Sequence, residues 1–360
     1  MTRARSIPEV TFRGDHFARG LQRGRMLRDT LDVPDLPALP PDFVAACRDA
    51  AFKLHPAVEA EFEGLIEGGD FDRARMEAYY FARLESRLGG CTMFGIEPPR
   101  GDGARGPLVG RNYDWALADL RWCRLERCEL PGGPRRIGYT HHWAGCPDAL
   151  NEHGLYVAIA SLPAEPVRSA GVQWSVLVDA VMEGCGTVED AIAVCARARH
   201  LRPMNYMLAD AGGAVAIVEA TPGMAFVRRP ERGVVLAANA PLGGERVAEH
   251  TAADYDLPLG PPEDAPAMER RQRTLERSAR RIARAAEMLQ GAGRAVTREA
   301  IRAVLSDHEA PICTGDHVAP GGGRWGTIWS GICEPAEGEF LIAPGQPCRF
   351  DYQSFRLADR

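Results

Sequence analysis

Residues 89–96, Gly-Gly-Cys-Thr-Met-Phe-Gly-Ile, and residues 107–115, Pro-Leu-Val-Gly-Arg-Asn-Tyr-Asp-Trp, decide how this chain folds. Before them, from Asp42 to about Leu88, apolar residues recur at helical spacing. Phe43, Ala46, Cys47 and Ala50 form one stripe, Phe62, Leu65 and Ile66 a second, and Tyr80, Phe81, Leu84 and Leu88 a third. Gly89 and Gly90 end that pattern, as glycines past a helix C-terminus do. From Cys91 the texture becomes that of strands, with 91–96 and 107–112 flanking a Pro/Gly-rich connection and predicting a hairpin. A cysteine therefore stands at the switch from helix to strand, behind two glycines that let the backbone bend sharply.

Working outward, residues 1–40 read as irregular and end in the proline-rich DVPDLPALPPD. Downstream, 155–160 predicts a buried strand, and 172–183 and 187–199 predict two helices. The second helix opens with a capping-box-like Thr187-x-x-Asp190. Strands follow at 205–209, 214–220 and 233–238, helices at 265–290 and 297–305, and strands at 326–333, 339–342 and 349–357. This alternation predicts layered sheets with helices outside. The Arg100-Gly101-Asp102 tripeptide falls in the hairpin connection and reads as a turn.

The 360 residues are 45% hydrophobic and 26% charged with a net charge of −6, which is the profile of a globular chain with a proper core. The basic cluster Arg270-Arg271-Gln272-Arg273 shares its helix with Glu269 and Glu276, so a solvated helix face accounts for it and nucleic acid is not an expected partner. No apolar core of an export signal opens the chain, and no 18 apolar residues run together, so a membrane is not expected either. The ten cysteines contain no CxxC pair and read as reduced thiols of a cytoplasmic protein.

Chemistry is concentrated at Cys91. If its thiol attacks the Gly90 carbonyl, an N-to-S acyl shift and hydrolysis release a new N-terminus at Cys91. The freed α-amine, with a reference pKa of about 7.7–8.0, can then act as base for the adjacent thiol. The predicted hairpin returns Arg111 and Asp114 to this point. A guanidinium near the sulfur favours thiolate, and a carboxylate near the amine holds it in place.

Gly90-Cys91-Thr92 followed by Gly110-Arg111-Asn112-Tyr113-Asp114-Trp115 resembles the penicillin acyltransferase-type branch of the N-terminal-nucleophile (Ntn) hydrolases, which is related to choloylglycine hydrolases, penicillin V acylase and acid ceramidase. The resemblance extends over nearly the whole chain: Gly14…Phe17-Ala18-Arg19-Gly20…Gly24, Asn151-Glu152-His153-Gly154-Leu155, Asn205-Tyr206…Asp210 with Val218-Glu219-Ala220, Ala238-Asn239-Ala240-Pro241, Asp307-His308, Ile312-Cys313 and Pro344-Gly345…Pro347-Cys348. It implies a four-layer αββα Ntn sandwich of the α+β class, with residues 91–360 as the catalytic domain. Residues 1–90 would be a helical propeptide or small chain.

The resemblance also implies roles. Cys91 is the nucleophile, Arg111 sits by its sulfur and Asp114 by its amine. Asn239 donates to the oxyanion, a contribution of about 3–4 kcal/mol for a preorganised donor. Where bile-salt hydrolases have a second asparagine, this chain has Ser161, whose hydroxyl can still donate. An arginine from a later helix is also implied, with Arg270 fitting best and Arg271 and Arg273 as alternatives.

No cofactor or metal is expected. His141-His142-Trp143 reads as alternating strand side chains, and Asp307-His308 with Asp316-His317 has no metal-ligand frame. Trp143, Trp174, Trp325 and Trp329 read as core or acyl-pocket residues, and Cys313, Cys333 and Cys348 as buried thiols. Three functions remain: an amidase, an acyltransferase using acyl-CoA or an amide donor and an amine acceptor, or an unprocessed binding protein. The expected partners are a small acyl substrate and the chain's own N-terminal fragment, and a homo-oligomer is compatible with all three.

Overall fold

A computed structural model describes residues 5–28, 39–83, 90–98, 106–163, 169–243, 265–291, 296–318 and 323–357. Gly89, the stripe positions Leu84 and Leu88, and Arg100-Gly101-Asp102 lie outside the described residues, as does most of the proline-rich run. In chain order the elements are β1 (Glu9–Arg13), α1 (His16–Arg28), α2 (Pro41–Leu54), α3 (Val58–Gly69), α4 (Arg73–Ala82), β2 (Thr92–Ile96), β3 (Leu108–Ala116), β4 (Arg124–Glu129), β5 (Arg136–Thr140), β6 (Asp148–Asn151) and β7 (Leu155–Ser161). They continue with α5 (Trp174–Gly184), α6 (Val188–Arg197), β8 (Met204–Asp210), β9 (Val215–Thr221), β10 (Met224–Arg228), β11 (Val234–Ala237), α7 (Ala265–Gly291), α8 (Arg298–Leu305), β12 (His317–Val318), β13 (Arg324–Glu334), β14 (Glu339–Ala343) and β15 (Gln353–Arg356).

The strands form two stacked sheets. One runs β1-β4-β5-β6-β7-β8-β9-β10, and the other β11-β2-β3-β13-β14-β15 with β12 attached to β13. Three apolar clusters fill the gaps between layers. The first joins α1–α6 to the outer face of the eight-stranded sheet through residues such as Phe62, Phe81, Leu177, Val157 and Tyr206. The second lies between the sheets around Met93, Tyr113, Tyr139, Tyr156 and Trp329. The third joins Phe94 and Ile332 to Ala285, Leu289 and Ile301 on α7 and α8. The layers therefore stack in the order αββα, as expected for the α+β class.

Local chemistry sets the helix starts. Pro41 occupies the first position of α2, where its missing N–H costs nothing. Asp72 caps α4 by accepting from the Arg75 N–H, and Thr187 caps α6 by accepting from that of Asp190. No helix among the described residues is long and apolar enough to cross a membrane.

The N-terminal segment departs from expectation. Residues 9–13 are not irregular: β1 pairs in parallel with β4 at the edge of the large sheet. Residues 16–28 are helical, and α1 packs on α3 so closely that a Cβ on Gly20 would stand 2.0 Å from the Glu61 carbonyl oxygen. Arginines and glycines mask the helical period of α1, because four of its five buried positions are Arg19, Gly20, Arg23 and Gly24, and Leu27 is the one large apolar residue among them. Residues 141–143 are also not strand. Thr140 Oγ1 donates to the Gly145 carbonyl and accepts from the His142 N–H, which folds the chain into a loop after β5.

Candidate active site

Cys91 directly precedes β2, an interior strand of the seven-stranded sheet, and is 3% exposed. β2 pairs antiparallel with β3, with Thr92 opposite Asn112 and Met93 opposite Arg111. Strand alternation then sends Cys91, Arg111 and Tyr113 towards the space between the sheets, and Asn112 and Asp114 towards α7 and α8. The asparagine shows this directly, its Nδ2 donating to the carbonyls of Leu305 and Ile312, both at 2.8 Å. The cysteine is thus flanked by Arg111 on one face and Asp114 on the other.

The Arg111 Nη2 lies 3.9 Å from the Cys91 sulfur, while Nη1 donates to the Ile159 carbonyl at 2.6 Å and pairs with Asp148 Oδ1 at 2.8 Å. Asp148 in turn accepts from the Trp329 indole N–H at 2.5 Å, and the Trp329 ring stacks on Tyr113 with centroids 3.8 Å apart. Both members of the Arg111–Asp148 pair are fully buried, so removing either would strand a charge at a cost of about 3–5 kcal/mol. Burial pushes the Asp148 carboxyl up to about 6 even beside Arg111. The same desolvation raises the Cys91 thiol, against which Arg111, the Asp114 N–H and Arg281 pull towards thiolate.

Asp114 is held by two hydroxyls. Thr327, its neighbour across the β3–β13 ladder, donates to Oδ1 at 2.6 Å, and Thr314 donates to Oδ2. The ladder shifts register between Thr327 and Trp329, so a bulge aims the two residues at different partners of β3. Burial raises the carboxyl to about 6, with the two threonine hydroxyls, Arg281 and His317 drawing it back. Gly90 lies against this carboxylate: a Cβ there would stand 2.7 Å from Oδ2.

Asn239 is fully buried after β11, where the Asn205 amide fixes the preceding Ala238 carbonyl at 2.9 Å. Its Nδ2 donates to the Ser161 carbonyl at 2.7 Å and stands 3.4 Å from the Ser161 hydroxyl. An amide nitrogen carries two hydrogens, so one remains for another acceptor. Its Oδ1 accepts from Arg281 Nη2 at 3.1 Å, and the same nitrogen donates to the Cys91 carbonyl at 3.3 Å.

The structure therefore brings Cys91, Arg111, Asp114 and Asn239 together, with Ser161 at the edge and Gly90 alongside. It does not bring Arg270, which is exposed on α7. The arginine reaching the site is Arg281, eleven residues on, or three turns along nearly the same helix face. Sequence reasoning also missed Asp148, Thr314 and Thr327. Asp148 had one available signal, a lone carboxylate just ahead of Asn151-Glu152-His153-Gly154-Leu155 in an otherwise apolar strand.

His141 and His142 are buried, and both approach the Tyr113 hydroxyl at 3.1 Å. Burial depresses the basicity of both rings far below the usual histidine range. Of the four tryptophans, Trp329 is core. Trp174 shares a cavity with Ser161, Leu162, Arg202, Pro203 and Met204, which opens beside the site. Around the thiol, Thr92 Oγ1, Arg111 Nε and Arg281 Nε are buried without a hydrogen-bond partner among the described residues.

A sequence profile of the acyl-coenzyme A:6-aminopenicillanic acid acyl-transferase family matches residues 100–349. No curated protein matches this sequence. Solved structures similar to the chain include a mutant of the conjugated bile acid hydrolase from Clostridium perfringens, 14% identical with a TM-score of 0.46, covering 74% of this chain and 97% of that one. A second variant of the same hydrolase is 12% identical with a TM-score of 0.42, covering 75% and 92%. Penicillin V acylase from Agrobacterium tumefaciens is 14% identical with a TM-score of 0.39, covering 72% and 77%.

Proposed function

Since this chain belongs to the acyl-coenzyme A:6-aminopenicillanic acid acyl-transferase family, whose members are amidohydrolases and acyltransferases, we propose that it cuts itself between Gly90 and Cys91 and then hydrolyses a linear amide through a Cys91 thioester. The observation that carries this reading is the placement of the Cys91 sulfur beside Arg111, with Asp114 against Gly90 on the opposite face.

Self-cleavage has to begin without the α-amine, which is still an amide nitrogen in the uncut chain. Asp114, with Oδ2 against Gly90, is the base at hand. The thiol passes its proton to this carboxylate and the sulfur bonds to the Gly90 carbonyl carbon. The C–N bond then breaks as its nitrogen takes a proton to become the Cys91 amine. Water hydrolyses the resulting thioester and leaves a carboxylate on Gly90. The glycine matters because no Cβ separates its carbonyl from Asp114.

In the cut enzyme the α-amine takes the thiol proton and Asp114 holds the ammonium in place. Arg111 stabilises the thiolate. Sulfur attacks the substrate carbonyl, and the second amide hydrogen of Asn239 donates to the oxyanion. The ammonium returns its proton to the leaving amine. Water then releases the acyl group.

Acyl transfer is the second reading, favoured by the name of the matched family. The chemistry is the same up to the thioester, and an amine in place of water resolves it. Incubating the cut enzyme with simple N-acyl amides, then with acyl-CoA and amine acceptors, tests both. Free acid from the amides supports the hydrolase, amide formed from acyl-CoA supports the transferase, and equal rates for wild type and Cys91→Ala would remove both.

A further inference from the structure

The loop after α8 and the loop after β14 meet in a cluster of metal-ligating side chains. His308, Cys313 and Cys348 each offer one ligand atom within 4.8 Å of the others. We propose that these three residues form a binding site for a thiophilic divalent cation, zinc(II).

Distance separates this from a disulfide. The Cys313 and Cys348 sulfurs stand 3.6 Å apart. Two sulfurs about 2.3 Å from a tetrahedral zinc stand about 3.8 Å apart, whereas a disulfide needs about 2.05 Å. The ligand loops are also held in advance. Both ends of the 305–312 segment are gripped by the Asn112 amide, through the carbonyls of Leu305 and Ile312. Just past it the Cys313 N–H donates back to the Asp307 carbonyl at 2.9 Å. On the other loop, the N–H groups of Arg349 and Phe350 both donate to the Gln346 carbonyl, and the Gln346 side chain donates to the Thr314 carbonyl at 3.1 Å. The two loops are therefore already joined next to the ligands.

Burial is graded as an open three-ligand site requires. Cys313 is buried, Cys348 half-buried and His308 exposed, so the metal enters from the histidine side and solvent takes the fourth position. Binding displaces one proton from each thiol. The other three-residue group of this kind among the described residues, His16, His55 and Glu183, is different. Arg19 and Arg136 already pair with Glu183 there and would repel a dication.

The test uses full-length Cys91→Ala protein, reduced and stripped with a chelator, so that the nucleophile adds no ligand. Zinc is expected to bind at one equivalent. Cobalt(II) in its place is expected to give thiolate-to-metal charge transfer in the near ultraviolet with tetrahedral visible bands. Adding Cys348→Ser or His308→Ala should remove the zinc equivalent and change or abolish the cobalt spectrum, while adding Cys146→Ser, a half-buried thiol elsewhere, should leave both intact. Stripped protein that takes up no zinc, a cobalt spectrum that survives both ligand substitutions, or a Cys313–Cys348 disulfide that persists under reductant would each overturn the site.

Discussion

Gly90 packs directly against Asp114, so that a methyl group on its Cα would come within 2.7 Å of the carboxylate Oδ2. The carboxylate has little room to yield, because Thr314 and Thr327 each hold one of its oxygens. Gly90→Val should therefore slow self-cleavage by about 10²-fold, the scale expected when reacting groups are displaced by about 1 Å. Gly90→Ala should slow it less. Time courses of fragment appearance on a denaturing gel measure this, and full-rate cutting of Gly90→Val would count against Asp114 as the base.

Asp114 also predicts a pH dependence. Burial raises its carboxyl from the ordinary 3.8 to about 6 in the uncut chain. Below about pH 6 the group is neutral and cannot take the thiol proton, so cleavage should be slow there and accelerate as pH rises through 6. The Thr327 hydroxyl favours the carboxylate. Thr327→Val should push the carboxyl higher still and move the acid limb towards alkaline pH, as read from cleavage rates across the acid-to-alkaline range. An unmoved limb would mean another group sets it.

Arg281 and Arg270 make a discriminating pair. The first bonds the Cys91 carbonyl and Asn239, while the second is exposed three turns earlier. Arg281→Ala should lower cleavage or turnover by about 10²-fold, in line with loss of a preorganised donor. Arg270→Ala should leave both within experimental error. Parallel assays of the two variants distinguish them.

The N-terminal segment should stay bound after the cut. Arg23 pairs with the buried Glu126 at 2.9 Å, Arg19 with Glu183 at 2.8 Å, and β1 is a strand of the large sheet. Both fragments should co-elute on gel filtration under native conditions. Arg23→Ala should cost roughly 3 kcal/mol in urea unfolding, since it breaks a buried pair. The exposed Arg13–Glu129 pair also links the segments, but Arg13→Ala should cost less than about 1 kcal/mol.

Much of the site was legible because strand pairing converts sequence spacing into geometry. A hairpin from Cys91 to Asp114 with alternating faces brings Arg111 and Asp114 to opposite sides of the cysteine, and the structure has that register. Arg281 was not legible for a physical reason. Residues 270–284 of α7 hold seven arginines at helical spacings, and sequence alone does not say which one turns inward. Thr314 and Thr327 reach Asp114 across separations of 200 and 213 residues, which no local pattern encodes. Strands β4, β5 and β6 are hard to read from sequence because buried charges, Arg124 and Glu126 in β4, Arg136 in β5 and Asp148 in β6, break their apolar alternation, the charges being paired inside the fold. Residues 16–28 hid a helix for the same kind of reason, its inner face being built mostly of arginine and glycine.

The central claim concerns the bond between Gly90 and Cys91, and intact-mass analysis with N-terminal sequencing of the purified full-length protein tests it most directly. The expected result is two fragments, the larger having the mass of residues 91–360 and the N-terminal sequence Cys-Thr-Met-Phe, with Cys91→Ala remaining whole. A wild-type chain that stays intact through prolonged incubation near neutral pH, or a cut that persists in Cys91→Ala, would contradict it.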